Sequence, residues 1–333
     1  MNRLHFYINY VAERGISAAQ VLAATGLDFA TVSQPSFLPS PDHFTTAIGN
    51  ILDLAEPGIG IDMGMAWNIS DFGIFGYALL SCERFRDNKT LWSRYFPLTS
   101  PLLNWKDRTV GADWWMDINE LFPLGRAKAF AIEEHLARYL KMCPVIMPAD
   151  DFGFREIQLS YEAPPYSHLY EKAFNCAIRF NQKQDRVLLD AKYLHYRLNF
   201  PSEDVLKTCE QECLRILTDI STTEPLSQRI KRHLIYNFER NFTLSEMADI
   251  IGVSTRSLRR QLQAEGTRYQ QLIDEVRLGF ALKYLQNTDL TPKEICYRVR
   301  YSNVCNFRRA MKAWTGKKLS ELRSPSVSQP LTE

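Results

Sequence analysis

The stretch TLSEMADIIGVSTRSLRR (243–260) decides the reading, because TPKEICYRVRYSNVCNFRR (291–309) repeats its plan 48 residues further on. Each copy opens on Thr-x-x-Glu, Thr243 to Glu246 and Thr291 to Glu294. That is a capping box: the threonine hydroxyl accepts from the N3 amide, and the glutamate reaches back to the cap amide. Pro292 stands at N1 of the second copy, where a missing N–H costs nothing. A small residue follows in each predicted helix (Ala248, Cys296), then a tight turn (Gly252-Val253-Ser254, Arg300-Tyr301-Ser302). A second, serine-capped helix ends each copy in paired arginines, Arg259-Arg260 and Arg308-Arg309. Helix, sharp turn and capped second helix are the sequence form of helix-turn-helix. Two copies in tandem point to DNA.

Between the copies, residues 269–286 have a helical period, with Tyr269, Leu272, Ile273, Val276, Phe280 and Tyr284 on one face. Eighteen residues at 1.5 Å each span roughly 27 Å. Such a spacer sets two recognition helices about one DNA turn apart, roughly 34 Å, so one chain can enter two successive major grooves.

Charge supports this placement. The net formal charge of the 333 residues is only +2. Residues 225–324, however, hold 19 Lys and Arg against 9 Asp and Glu, while residues 1–224 hold 21 against 28. The positive field is therefore local to the repeated segment, as a phosphate-contacting surface requires.

In sequence this segment resembles the AraC/XylS family of bacterial transcriptional regulators. The resemblance is carried by SEMADIIGVSTRSLRRQLQAEGTRYQQLIDEVRLGFALKYL (245–285) and AMKAWTGKKLSELR (310–323), and covers about a hundred residues. It implies double-stranded promoter DNA as partner, RNA polymerase as a further one if the chain activates, and base-edge contacts from the exposed face of each recognition helix. Those positions are Arg256, Arg259 and Arg260 in the first helix and Val304, Cys305, Asn306 and Arg309 in the second. Ser257, Gln263, Asn303 and Arg308 join them as contacts to bases or phosphates. Arginine reads guanine and asparagine reads adenine by paired hydrogen bonds; the competing role for each arginine is a phosphate anchor. Leu258, Leu262, Phe307, Met311 and Trp314 are expected in the core. Three positions depart from the family pattern: Arg300 for the turn glycine, Cys296 for an alanine and Leu319 for a proline. Arg300 is expected either to adopt an unfavourable turn conformation or to mark a turn of different geometry.

Upstream, residues 1–200 read as one α+β unit with a helical front half, 201–224 as a helical linker and 325–333 as a flexible tail. The fold class expected is an α+β N-terminal domain followed by an all-α C-terminal domain, 225–324, with two helix-turn-helix motifs and a linker helix. Apolar spacing gives helices near 43–55, 71–81, 88–95 and 126–142. Strands are expected at 101–105 and 109–118, with Lys106-Asp107-Arg108 at the turn between them. Another is expected at 154–163, and a hairpin of 177–180 with 186–190. In 202–219, Val205, Leu206, Cys209, Cys213, Ile216 and Leu217 share a side, for packing on the same domain or for a homodimer seam.

This half resembles the arabinose-binding-like N-terminal domain of one branch of those regulators, through LDLAEPGIGIDMG (52–64), DFGIFGYALLSCERFRD (71–87) and NCAIRFNQKQDRVLLDAKYL (175–194). The resemblance implies a domain that senses a small organic effector, a fatty acid or an amino-acid-derived compound among others, and that dimerises. From the residues themselves, Trp67, Phe75, Trp114 and Trp115 offer aromatic walls and Arg126 a partner for an acidic head group. Their bland use is core packing. Adjacent strand residues point to opposite faces, so one of Trp114 and Trp115 must leave the main core.

Other classes find less support. There is no nucleophile elbow, P-loop or His-Glu-x-x-His, so an enzyme is not expected. His135 beside Glu133 and Glu134 reads as a solvated helix face. Seven scattered cysteines without Cys-x-x-Cys suggest reduced thiols, and no metal or cofactor is expected. Without a signal-peptide core or an apolar run of about 18 residues, a cytoplasmic chain with no membrane partner is expected. The reading is a DNA-binding regulator under effector control; the alternative is an N-terminal domain that only dimerises.

Overall fold

Side-chain caps fix where seven of the helices of the computed structural model begin. It describes residues 3–34, 37–99 and 102–323, apart from the side chains of 93, 96–99 and 217–223. The expected tail, 325–333, lies outside the described residues. The chain divides into two units, Met1–Glu120 with Arg126–Ile220, and Leu121–Gly125 with Ser221–Glu333.

The first unit starts with α1 (Arg3–Ala12), α2 (Ala18–Val21), α3 (Phe29–Val32), α4 (Pro41–Leu54), α5 (Ile59–Ala66), α6 (Ile74–Ser81) and α7 (Phe85–Thr99). Ser17, Asp28 and Ser40 cap α2, α3 and α4, and Pro41 opens α4 at its first position. α8 (Ala127–Ile146) is the central helix, followed by α9 (His168–Phe174) and, at the end of the unit, α10 (Glu203–Thr223). Gly60 and Gly64, one turn apart on α5, let α8 approach closely. A Cβ at Gly64 would stand 2.5 Å from the Glu134 carbonyl oxygen, and one at Gly60 2.6 Å from Glu133 Oε2. Nothing larger than glycine fits at Gly64, where the obstacle is backbone, and at Gly60 a larger residue would displace the Glu133 carboxylate.

The sheet is β1 (Leu103–Val110), β2 (Asp113–Glu120), β3 (Glu156–Gln158), β4 (Ala177–Arg179) and β5 (Asp185–Asp190), in the order β1-β2-β5-β3-β4 among the described residues. Two expectations are corrected. Lys106-Asp107-Arg108 is not a turn but runs inside β1. The turn is Gly111-Ala112, with Gly111 at φ 59. The charged run reads as a turn only until its partners are seen: Asp107 pairs with Lys89 and accepts from the Trp114 indole, and Arg108 lies 3.9 Å from Asp117 across the ladder. Nor do 177–180 and 186–190 form a hairpin. β4 runs parallel to β3, and β5 lies between β3 and β2, antiparallel to both. The middle of a five-stranded sheet suits the Val187 and Leu189 side chains, which are fully buried.

The second unit is helical: α11 (Leu226–Tyr236), α12 (Leu244–Ile251), α13 (Thr255–Ala264), α14 (Tyr269–Asn287), α15 (Pro292–Arg298), α16 (Val304–Thr315) and α17 (Leu319–Leu322). The linker helix expected at 269–286 is α14, but it is not apolar on one face alone. Leu278, Ala281 and Leu285 are as buried as Leu272, Val276 and Phe280. α14 is the post around which α11, α15 and α17 pack, so it is covered on more than one side.

Candidate DNA interface

Both capping boxes are present as complete pairs. Thr243 Oγ1 accepts from the Glu246 amide at 3.2 Å while Glu246 Oε2 accepts from the Thr243 amide at 2.7 Å. In the second copy the same bonds measure 3.3 and 2.7 Å between Thr291 and Glu294. These hydrogen bonds hold the Glu246 and Glu294 carboxyls below the usual carboxylate range. Glu265 accepts from the amides of Leu226 and Ser227 at 2.7 and 2.9 Å, and Glu321 from that of Lys318 at 2.8 Å. Four of the segment's acidic groups are thus engaged with backbone amides rather than with arginines.

The turns differ between copies. Gly252 ends α12 at φ 79, in the left-handed region glycine occupies freely. Arg300 holds φ 64 at the matching place, so of the two alternatives the unfavourable turn conformation is found. Its guanidinium donates to the carbonyl of Glu239, in the chain leading into the first copy. Ser254 caps α13, accepting from the Ser257 amide at 3.1 Å. In the second copy the cap moves by one residue: Asn303, not Ser302, caps α16, its Oδ1 accepting from the amides of Cys305 and Asn306 at 2.7 and 3.2 Å.

Leu258 and Leu262 of α13 and Phe307 and Met311 of α16 are 0–1% exposed. Burying each contributes roughly 1.5–3 kcal/mol and fixes which face turns outward. On α13 that outward face is Arg256, Arg259, Arg260 and Gln263; Ser257 is half-buried, and its Oγ accepts from Gln261 at 3.1 Å. On α16, Cys305, Asn306, Arg308 and Arg309 are exposed, Asn303 is exposed at the cap, and Val304 is half-buried. Trp314, expected in the core, is instead 44% exposed: at i+7 from Phe307 it continues the Phe307–Met311 stripe, but it stands in the last turn of α16, next to the terminal Thr315. Lys231 and Arg232 are ion-paired with Glu275 and Glu224. By contrast, Arg256, Arg259, Arg260, Arg308 and Arg309 have no ion pair or side-chain hydrogen bond among the described residues. Five guanidiniums on α13 and α16 are thus exposed and unpaired among the described residues.

The aromatic residues of the first unit are placed differently. Trp67 is fully buried, stacked 3.9 Å from Phe6, and shares Phe72 with Phe75, itself 2% exposed. Trp114 points inward against Phe85, whereas Trp115 points outward beneath Arg186, whose guanidinium carbon lies 4.4 Å from its ring centre. Arg126 is exposed and paired with Asp53 at 2.6 Å. Trp67 and Phe75 are thus brought together, while the other three have neighbours of their own.

The helix face of Glu133, Glu134 and His135 is not solvated. All three are buried, with Arg138. Arg3 donates to Glu134 at 2.5 Å and to the Tyr7 hydroxyl at 2.9 Å, Arg138 lies 3.4 Å from Glu134, and Arg138 donates to His135 Nδ1 at 2.9 Å. Burial, reinforced by Arg138 and Arg3, pushes the His135 pKa well down, so the ring is neutral and accepts. Burial also raises the Glu133 carboxyl, against the hydroxyls of Tyr170 and Tyr166 that donate to it. The missed signal was Gly60 and Gly64, whose spacing seats α5 on this very face. Among the described residues no group of three or more His, Cys, Asp or Glu could hold a metal, and no helix is long and apolar enough to cross a membrane.

Residues 15–198 match the family model described as the arabinose-binding domain of AraC transcription regulator, N-terminal, and residues 247–324 match a helix-turn-helix domain model. The chain is similar to the ornithine utilization regulator of Pseudomonas aeruginosa, 29% identical over 95% of this chain and 93% of that one. It is 30% identical to the transcriptional activator NphR of Rhodococcus sp over 34% of each chain. Among solved structures, the transcriptional regulator CdpR from Pseudomonas aeruginosa aligns over 96% of this chain and 97% of its own, at 20% identity and a TM-score of 0.48.

Proposed function

The chain belongs to the AraC family of transcriptional regulators, and from that premise we propose that it reads promoter DNA with α13 and α16 in successive major grooves of one duplex. The five unpaired guanidiniums of these two helices, set beside acidic groups engaged with backbone amides, carry this reading. Arg256, Arg259 and Arg260 are the base- and phosphate-contacting set of α13, with Ser257 and Gln263 at its edge. Asn306 and Arg309 lead on α16, with Val304 and Cys305 offering apolar contact to a thymine methyl. Asn303, its Oδ1 occupied by the cap, keeps its amide hydrogens for a phosphate, as does Arg308 its guanidinium. In domain terms, 225–324 binds DNA and 1–200, followed by the helical linker 201–224, senses a ligand and dimerises.

The ligand we infer for the first unit is a small organic acid of the amino-acid-derived or fatty-acid class. The arabinose-binding domain match supports a ligand, and the relative named for ornithine utilization supports an amino-acid-derived one. Binding would bias the placement of the two units and so promoter occupancy, with RNA polymerase as partner if the effect is activation. Quantitative binding to the DNA flanking its own gene, with and without candidate acids, tests both halves. Sequence-specific binding that an acid alters is the expected result; binding no tighter than to random DNA would overturn it.

A further inference from the structure

We propose that the helical unit carries a ligand site of its own, for a monocarboxylate with a short apolar chain. A cavity of about 90 Å³ lies there, with Leu234 of α11 and Ile273 and Val276 of α14 among its apolar walls and Arg240, Arg277 and Arg300 among its lining. That volume is well above the ~10–15 Å³ one water needs and below the ~150 Å³ known to hold benzene, so the apolar body is small. None of the three guanidiniums meets a carboxylate among the described residues. Arg240 lies over the Phe242 ring at 4.9 Å. Arg277 reaches Asn241 Oδ1 at 3.4 Å and faces the Tyr301 ring at 5.8 Å. Arg300 donates to a backbone carbonyl. None has an ion pair among the described residues, and cations beside an apolar hollow are the chemistry that recognises an amphipathic anion.

This site also has a lever. The Arg300–Glu239 hydrogen bond ties the turn of the second helix-turn-helix to the loop that enters the first. A carboxylate that claims the Arg300 guanidinium releases that tie, and the spacing of α13 and α16 relaxes with it. The ligand therefore weakens binding to DNA that needs both helices. It does so from within the DNA-binding unit, independently of any effector in the first unit.

The test uses the full chain at fixed sodium concentration. Sodium butanoate and sodium pentanoate are compared with butanamide and pentanamide by thermal shift, then by DNA-binding anisotropy. The acids are expected to raise Tm by several degrees at saturation and to weaken DNA binding, and the neutral amides to do neither. Val276→Trp, which fills the cavity, and Arg277→Gln, which removes one charge, are each expected to weaken the acid's effect about tenfold. Should Val276→Trp fail to fold, Arg277→Gln at the half-exposed position decides. Equal shifts from acid and amide, no shift at all, or a shift that both variants leave intact would each overturn the site. So would an equal effect from inorganic phosphate, which would make the rim a seat for DNA phosphate.

Discussion

The two units treat charge in opposite ways. In the first, Arg3 and Arg138 are buried around Glu134, and Arg94, Arg126, Arg155 and Arg179 each meet a carboxylate. In the second, the recognition-helix arginines stand exposed and unpaired, while Glu246, Glu265, Glu294 and Glu321 accept from backbone amides. The same residue type therefore holds one unit together and leaves the other unsatisfied until an anion arrives. The contrast extends to the repeated copies. The first has its turn glycine and three outward arginines; the second has Arg300 in a left-handed turn and an uncharged start to its recognition helix at Val304, Cys305 and Asn306. We propose that the first copy anchors binding and the second tunes it.

The contrast breaks most severely at Arg138. Arg138→Met leaves part of the Glu134 charge uncompensated in the interior and is expected to cost about 3–5 kcal/mol of stability, read by denaturant unfolding. A loss within about 0.5 kcal/mol, the scale of an ordinary surface change, would mean the cluster is not structural. Arg260→Ala should do the reverse: unfolding hardly moves, while operator binding weakens by about 1–3 kcal/mol with one base position relaxed. An equal loss on random DNA would assign Arg260 to a phosphate instead.

His135 sharpens the comparison through pH. Its folded-state pKa is depressed by burial, Arg138 and Arg3, so it adds nothing above the ordinary histidine value of about 6.5. Below that pH the unfolded chain takes up a proton the folded one refuses, and stability falls as pH falls, by at most about 1.4 kcal/mol per pH unit. Wild type should therefore lose stability between pH 6.5 and 5 relative to His135→Gln, which keeps an acceptor for Arg138; parallel profiles would contradict the buried neutral ring. The smallest effects belong to the caps. Thr243→Ala and Thr291→Ala are each expected to cost about 1 kcal/mol, seen as a lower Tm. If the copies unfold as one unit around α14, the two losses are alike; a much smaller loss for Thr291 would show that the second copy frays by itself.

What the sequence disclosed follows from the range of the interactions. Capping boxes, the turn glycine and the Leu258/Leu262 and Phe307/Met311 stripes act over three or four residues, so 243–309 was legible apart from the cap of α16, which is Asn303 and not Ser302. Arg240 and Arg277 escaped notice because their cavity joins α11 to α14 across the fold. The sheet was harder for the same reason. β4 pairs with β3 rather than with its neighbour β5, and a charged run sits in mid-strand because its partners, Lys89 and Asp117, come from elsewhere. Most distant from local pattern is the buried Arg3–Glu134–Arg138 cluster, in which a residue near the start of the chain neutralises the middle of α8. Charged residues at adjacent helix positions read as solvated unless the glycines that bury them are recognised on the opposing helix.

We propose above all that one chain reads two successive major grooves. Methylation-interference footprinting of the full chain, on a duplex selected from a random pool, tests it most directly. Two major-groove patches about 10 base pairs apart are expected, with Arg260→Ala erasing base preference in one and Asn306→Ala in the other. A single patch, or the loss of the same patch by both variants, would contradict it.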